Sequence, residues 1–270
     1  MHLHCKNMNY RIGIIGAGNM GSTFYKGLSK DFPKEALFIC DRNEQKFVEL
    51  KAVNFTTDPK ELANEAGIII LAVKPQAFDD LMKELGDGLK DKLVVSIMAG
   101  ISIDRLKEQT VSNRIVRSMP SLPIQVGSGI TGWIATETVS EKEREMIQTI
   151  FSTMGYATEL TEERMIDAIT VIGACGPAYF YYLAELLTEK ARKLGFSEKE
   201  AREISEVAFV GSAKLLENND KTAREWKEAC TSKGGVTEAM LKHFNDHDFA
   251  KIFNDALDTG LRRCSELNNQ

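Results

Sequence analysis

Residues 10–21, which read YRIGIIGAGNMG, constrain the fold more than any other segment of this chain. The apolar run at 12–15 predicts a parallel strand that is covered on both faces. Three glycines follow at the spacing of the dinucleotide fingerprint: Gly16, Gly18 and Gly21. In that fingerprint they permit a tight turn, the approach of a pyrophosphate and close packing of the next helix, whose free N–H groups face the phosphates. The segment therefore predicts the first βα unit of a dinucleotide-binding sheet.

An acidic residue closes the next apolar segment. Asp41 follows residues 37–40 and lies about 20 residues beyond the fingerprint, where a carboxylate commonly binds the adenine ribose hydroxyls. That carboxylate favours NAD, because it would repel a 2′-phosphate. Arg42 favours NADP, since a guanidinium can clamp the phosphate. The choice between NAD and NADP stays open, and an ordinary polar turn is the alternative interpretation.

Further strands and helices alternate along the first half. Residues 67–73 and 93–97 read as buried strands, and the spacing of apolar residues predicts a helix over 78–89. This alternation predicts a doubly wound parallel sheet of the Rossmann type, which binds ligands at the carboxyl ends of its strands. Two segments follow such ends, 72–76 (AVKPQ) and 98–100 (MAG). In one interpretation Val73 and Lys74 flank the nicotinamide ribose; in the other, Lys74 is a surface charge.

The second half is predicted to be helical. The last element of the first half ends near 154–155, and long helical patterns begin after 161, so we place a domain boundary near residue 160. The domains are then 1–160 for the dinucleotide and 161–270 for an all-α domain. A helix from Gly176 to Leu194 is apolar on more than one face, which favours a partner subunit over a single-chain bundle. Ser197 and Glu200 form a capping box for the following helix.

A glycine-rich turn precedes another helix at 231–241, which reads TSKGGVTEAML. Main-chain N–H groups around Gly234 and Gly235, at a helix that opens near Thr237, form a site for an anion. The hydroxyls of Ser232 and Thr237 flank it. The alternative is a plain capped turn between helices.

Composition indicates a soluble, cytoplasmic enzyme. The net charge is −5 among 270 residues, with mixed signs and no basic stripe, so we expect no nucleic-acid partner. Five scattered cysteines lack metal-site spacing and fit a reducing compartment, so no metal is expected. No uninterrupted apolar run reaches the ~20 residues of a membrane span. Residues 1–9 read as a flexible extension without the apolar core of a secretion signal.

Seven segments, in this order and roughly this spacing, resemble the pyrroline-5-carboxylate reductases, which make proline: IGIIGAGNMG, LAVKPQ, LVVSIMAGIS, VRSMP, IDAITVIGACGPAYF, GSAK and TSKGGVTEAML. The resemblance runs from about Tyr10 to Leu267. It implies a Rossmann domain and a helical domain that forms homodimers by interleaving helices, with larger rings of dimers in some members. It also implies hydride transfer from NADPH or NADH to 1-pyrroline-5-carboxylate, a cyclic imine. The implied active site lies between one subunit's cofactor domain and the helical domains.

The resemblance implies roles for individual residues of this sequence. The pyrophosphate would be held at Ile15, Gly16, Ala17, Gly18, Asn19 and Met20, next to Gly21. The ribose and nicotinamide would be held at Ala72, Val73, Lys74, Pro75 and Ala99. The substrate carboxylate and ring nitrogen would be held by Ser232, Gly234, Gly235 and Thr237, with Thr237 as the candidate catalytic residue. Two acidic residues would stand near this site, Glu163 and Asp220.

Three departures from the family pattern leave the substrate open. The usual MPNTP is MPSLP here, with Ser121 and Leu122; the usual SGSGPAY is GACGPAY, with Gly173 and Cys175; and Lys233 replaces the proline of SPGGTT. A buried partner left without its hydrogen bond costs about 1–3 kcal/mol. Three hypotheses follow: reduction of pyrroline-5-carboxylate, reduction of another cyclic imino acid, or a non-catalytic dinucleotide-binding regulator.

Overall fold

A computed structural model describes residues 10–268, so the predicted extension at 1–9 lies outside the described residues. The chain divides into two compact units. One runs to Ala174 and includes the segment from Leu261 onward, and the other is Cys175–Gly260. The domain boundary near residue 160 stays a prediction, because these units describe packing within a single chain.

An eight-stranded sheet forms the centre of the first unit. Its strands are β1 Ile12–Ile15, β2 Leu37–Cys40, β3 Asn54–Thr56, β4 Ile68–Leu71, β5 Leu93–Ser96, β6 Ile115–Pro120, β7 Gly129–Ala135 and β8 Gly155–Glu159. Their order is β3-β2-β1-β4-β5-β6-β7-β8. All pairs are parallel except β6 with β7. The predicted Rossmann-type fold class is confirmed, but the expectation that the last element of this half ends near 154–155 is wrong, since β8 follows.

Helices surround this sheet and make up the second unit. They are α1 Asn19–Asp31, α2 Gln45–Leu50, α3 Pro59–Glu65, α4 Phe78–Leu85, α5 Ile103–Thr110, α6 Glu141–Ser152, α7 Arg164–Ile169, α8 Gly176–Lys193, α9 Glu198–Glu217, α10 Ala223–Ala229, α11 Val236–Asp246 and α12 Phe249–Asn268. A π-helical turn, Thr170–Ala174, joins α7 to α8. Helix α4 is shorter than predicted, because Gly86 adopts a φ of +59° and ends it. Leu89, predicted as its last apolar residue, lies outside the helix and is still fully buried.

The core lies on both faces of the sheet. Along β4, Ile68 and Ile70 pack into one apolar cluster, whereas Ile69 and Leu71 pack into the other. Successive side chains of a strand point to opposite faces, so a strand covered on both sides must be apolar throughout. This is why β4 reads as an unbroken apolar run.

The second unit begins as the sequence predicts. Pro177 lies in the first turn of α8, and Ser197 and Glu200 form the predicted capping box at the start of α9. The Ser197 N–H donates to the Glu200 carboxylate over 2.9 Å. Proline suits a first turn because the N–H that it lacks has no partner within the helix.

Helix α8 exposes many large apolar side chains, among them Phe180, Tyr182 and Leu187. The continuous helical stretch Arg164–Lys193 is long and apolar enough to cross a membrane by length and composition alone. Counting only uninterrupted apolar runs missed it, because polar residues are dispersed through it. A helix that packs against a second subunit meets the same criterion, so this stretch does not by itself indicate a membrane protein.

Substituting one exposed apolar residue of α8 tests whether this surface is covered by another subunit. We expect Leu187→Glu, at a position 46% exposed in the single chain, to reduce the assembly size measured by sedimentation velocity. The reason is that a buried carboxylate without a partner strongly disfavours association. The control is Val48→Glu, at a position 79% exposed on α2, which should leave the assembly unchanged. Equal assembly sizes for Leu187→Glu and the unmodified chain would contradict the expectation.

Candidate active site

The glycine fingerprint has the geometry that a pyrophosphate requires. Gly16 has a φ of +103°, and a Cβ there would stand 2.7 Å from the carbonyl oxygen of Ala72. A Cβ on Gly21 would collide with the carbonyl oxygen of Gly16. At Gly18, in contrast, a Cβ would meet no atom within 4 Å. Two glycines are therefore fixed by packing within the chain, and the third leaves open space where a phosphate can approach the backbone.

Asp41 is held by the fingerprint loop itself. Its Oδ2 accepts the Ala17 N–H over 2.7 Å, and its Oδ1 accepts the Asn43 N–H over 2.9 Å. The Lys46 ammonium lies 3.5 Å from Oδ2, and the Asp41 side chain is only 18% exposed. Because both oxygens already accept main-chain hydrogen bonds, this carboxylate ties the end of β2 to the loop after β1.

A cavity of about 370 Å³ lies at the carboxyl ends of β1, β2 and β4. Its lining includes these predicted cofactor residues: Ile15, Gly16, Gly18, Asp41, Arg42, Ala72, Val73 and Lys74. Ala17 and Asn19 line a second, more polar cavity of about 460 Å³ beside α1. The first cavity has the position and the donors that a dinucleotide needs, at the strand ends and beside a helix N-terminus. The residues thus fit a nicotinamide dinucleotide.

Three further predicted cofactor residues, Pro75, Met20 and Ala99, do not line these two cavities. Pro75 opens a short 3₁₀ turn directly after Lys74. Met20 packs against the apolar core from the first turn of α1. Ala99 lines a separate small cavity of about 30 Å³, next to Arg117.

Burial and the nearby Asp41 charge raise the pKa of Cys40 to about 12, so this thiol in the wall of the 370 Å³ cavity stays protonated and unreactive at neutral pH.

A buried arginine, which the sequence reading missed, organises the region around Ala99. Arg117 in β6 is only 4% exposed, and its Nη1 lies 2.5 Å from Oε1 of Glu163. The same oxygen accepts the N–H of Ile103, over 2.8 Å, at the start of α5. Asn268 accepts from Arg117 and donates to Asp167. The sequence signal was a charge inside a buried strand, since buried charges are nearly always paired.

This network gives Glu163 a structural task within the first unit. Its carboxylate neutralises Arg117 and holds the start of α5. The role of Glu163 near a substrate stays a prediction. Asp220 lies in the exposed turn between α9 and α10 in the second unit, and its role stays a prediction as well.

The glycine-rich turn before α11 requires its glycines. Gly234 has a φ of +73°, a left-handed conformation that glycine adopts without strain. A Cβ on Gly235 would collide with the Ser232 hydroxyl. The Gly235 N–H donates to the Ser232 carbonyl over 3.0 Å, and the Gly234 N–H donates to Glu238. Thr237 follows in the first turn of α11, where N–H groups have no partner within a helix.

One residue in each of the first two departures from the family pattern has a structural explanation. The Ser121 N–H donates to the Ile130 carbonyl, and its hydroxyl accepts the Ile130 N–H over 2.9 Å. A Cβ on Gly173 would stand 2.7 Å from the Ile130 side chain, so a serine there would crowd this strand. Leu122 and Cys175 are exposed, as is Lys233 in the turn before α11. Among residues 10–268, no group of three or more His, Cys, Asp or Glu side chains is arranged to hold a metal ion.

The fold and the cavity at the strand ends define an oxidoreductase that uses NADP or NAD. A family model described as pyrroline-5-carboxylate reductase dimerisation matches residues 163–267, and one described as NADP oxidoreductase, coenzyme F420-dependent, matches residues 11–100. A pyrroline-5-carboxylate reductase of Haemophilus influenzae is 33% identical over 95% of this chain and 97% of its own length. The chain belongs to the pyrroline-5-carboxylate reductase family, whose members act on C=N bonds. The dimerisation region indicates that it forms oligomers.

Solved structures agree with this assignment. A pyrroline-5-carboxylate reductase from Coxiella burnetii has a TM-score of 0.88 and 28% identity, over 96% of this chain and 99% of that one. A pyrroline carboxylate reductase from Plasmodium falciparum, solved with NADP bound, has a TM-score of 0.85 and 27% identity, over 96% and 98% of the two chains.

The fingerprint glycines offer a paired test of the cofactor cradle. Gly21→Ala forces a Cβ onto the Gly16 carbonyl, and overpacking of this kind costs about 1–3 kcal/mol or more, so we expect a lower melting temperature and weaker NADPH binding. Gly18→Ala meets no neighbouring atom, so its melting temperature should match that of the unmodified chain while NADPH binding weakens. Thermal unfolding and fluorescence titration with NADPH measure both. Undiminished NADPH affinity in Gly18→Ala would contradict the assigned pyrophosphate position.

Proposed function

We propose that this chain reduces 1-pyrroline-5-carboxylate to L-proline, the last step of proline biosynthesis, with NADPH or NADH as hydride donor. The observation that carries the proposal is the cradle of Gly16, Gly18 and Gly21, which leaves the backbone open to a pyrophosphate. The glycine-rich turn before α11 supports it in the second unit. Family membership supports the choice of an imine as the substrate.

Reduction of this imine requires little acid–base catalysis by the protein. A protonated cyclic imine is already an electrophile, so the reaction needs placement more than a strong acid or base. When bound, the reduced nicotinamide supplies the hydride. Main-chain N–H groups of the turn at 231–237 would hold the carboxylate of the substrate. The hydroxyl of Thr237 would hydrogen-bond the ring nitrogen, and that of Ser232 would flank the carboxylate.

The two competing hypotheses have less support. Ser121 and Gly173, which suggested an altered substrate or lost activity, have structural reasons around Ile130. Gly234, Gly235 and Thr237 remain in place at the start of α11. The relatives that match nearly the whole chain are named as reductases, which favours the catalytic hypothesis over a regulator.

The geometry around Asp41 favours NADPH over NADH. Both Asp41 oxygens accept main-chain N–H groups, so the ribose hydroxyls would share a carboxylate that already braces the loop. Arg42 is 86% exposed beside the same cavity, and Lys46 also lines it. Arg42 and Lys46 supply cations that suit a 2′-phosphate, while Asp80 in the same lining is acidic. Glu84 opposes this preference, since it lies 3.3 Å from Arg42.

We also propose that the enzyme forms a homodimer and lies in the cytoplasm. The exposed apolar surface of α8 fits a homodimer, and a ring of dimers would need a second contact besides it. A small-molecule imine is the expected substrate, and neither a nucleic acid nor a membrane is an expected partner. We place the enzyme in the cytoplasm, in keeping with its scattered free cysteines.

A spectrophotometric assay tests the activity. We expect oxidation of NADPH in the presence of 1-pyrroline-5-carboxylate, with L-proline as the product identified by mass spectrometry. Turnover only with a homologous ring, such as the six-membered imine carboxylate, would instead support the second hypothesis. Binding of NADPH without oxidation by any imine would support the regulator.

Replacing Thr237 by alanine separates the two ligand sites. We expect Thr237→Ala to lower kcat/KM for the imine by about 10-fold or more, the effect of one lost hydrogen bond of about 1.5 kcal/mol. The affinity for NADPH should stay unchanged, as measured by fluorescence titration. Thr237→Ser, which restores a hydroxyl, is the matched control and should recover most of the activity. Loss of NADPH binding in Thr237→Ala would show that the subsites are wrongly assigned.

Arg42 tests the preference for NADPH. We expect Arg42→Ala to raise the KM for NADPH by about 10-fold or more, because charge-assisted hydrogen bonds contribute about 1.5–3 kcal/mol, and to leave the KM for NADH nearly unchanged. Arg11→Ala is the control, since Arg11 pairs with Glu65 and lies outside the lining of the cofactor cavity. Equal effects of Arg42→Ala on both cofactors would refute a 2′-phosphate contact.

A further inference from the structure

A glutamate of the protein occupies one of the main-chain donors assigned to the substrate carboxylate. Glu238, in the first turn of α11, accepts the Gly234 N–H through Oε2 over 2.7 Å. Gly234 and its neighbours form the turn that we propose to bind the imino acid. An internal carboxylate thus lies where an external one is expected.

This contact differs from the other glutamate caps of the second unit. In α9 and α10, a serine or threonine caps the helix and a glutamate three residues later accepts the N–H of that same residue, as in Ser197 with Glu200 and Thr222 with Glu225. Helix α11 is capped by Gly235, which has no side chain to complete such a box. Glu238 reaches past it to the N–H of Gly234, one residue earlier. Its partner is therefore the turn and not the capping residue.

The next main-chain donor of the turn is also occupied. The Gly235 N–H already donates to the Ser232 carbonyl. A substrate carboxylate that takes the Gly234 N–H must displace Glu238, and the displaced side chain stays tethered one helical turn away. Two carboxylates at that separation repel each other, and the repulsion is moderate because Glu238 is exposed to solvent.

We propose that Glu238 is a specificity-determining residue that competes with the substrate carboxylate for the Gly234 N–H. It lowers the affinity for cyclic imines that carry a carboxylate, and for the carboxylate-bearing product, relative to cyclic imines without a carboxylate. The inference rests on the proposed function, since it concerns the same turn. We therefore expect the protein to bind ligands with a carboxylate less tightly than the same turn would without the Glu238 charge.

The variant Glu238→Gln tests this, because glutamine keeps the size and an acceptor oxygen for the Gly234 N–H but removes the charge. We expect the KM for 1-pyrroline-5-carboxylate, and the Kd for L-proline measured by calorimetry with NADPH present, to fall by about 3- to 10-fold, as for one screened charge interaction. The KM values for 1-pyrroline, which has no carboxylate, and for NADPH should stay within about twofold of the unmodified enzyme. The matched control is Glu225→Gln, which removes the same charge from the cap of α10 and should change none of these values.

The outcomes separate this inference from the proposed function. Unchanged or weaker binding of L-proline in a folded Glu238→Gln overturns it, as does an equal gain for 1-pyrroline. Glu238→Ala, with its melting temperature recorded, provides a second variant if the glutamine variant is unstable. If the unmodified chain does not reduce 1-pyrroline-5-carboxylate, the proposed function fails, while the proline titrations still decide the role of Glu238. Absence of proline binding in every variant overturns the inference too.

Discussion

The close approach of α1 to the end of β1 is the constraint on which the cofactor unit depends. Gly21 packs directly against the carbonyl of Gly16, and Gly16 turns against the backbone of Ala72. These contacts bring the N-terminus of α1 and the ends of β1 and β4 to one place. Asp41 then ties β2 to the same loop through the Ala17 N–H. The space left at Gly18 is a consequence of this packing, and the predicted phosphate position lies where no side chain fills that space.

The strands β1, β2, β4 and β5 could be predicted because they are covered on both faces of the sheet. A strand such as β4 must then be apolar at every position, and the sequence shows that directly. The two edge strands, β3 and β8, were not predicted, because they are not covered on both faces. Phe55 in β3 and Tyr156 in β8 are exposed, and both strands mix polar with apolar residues. Pairing with a neighbouring strand, which no local pattern records, holds them in the sheet.

The candidate site was predictable where its chemistry is local to the chain. The glycines of both turns and the capping box of α9 are encoded by residues within a few positions of one another. Contacts between distant segments were not predictable. Arg117 meets Glu163 and Asn268, and Asp41 meets Ala17, across 24 or more residues of chain. These pairings decide that Glu163 neutralises a buried cation and that Asp41 braces a loop, roles that composition and spacing do not specify.

Ser121 and Gly173, which differ from the family pattern, both contact the same residue, Ile130. Ser121 exchanges two hydrogen bonds with the main chain of Ile130, and Gly173 makes room for the side chain of that same residue. A serine at 173 would need the side chain of Ile130 to move. Because both changes converge on the start of β7, neither removes a group from the turn before α11. The departure that does belong to that turn is Lys233, beside Gly234, whose N–H the protein's own Glu238 already accepts. We therefore expect differences in ligand preference to trace to the turn before α11.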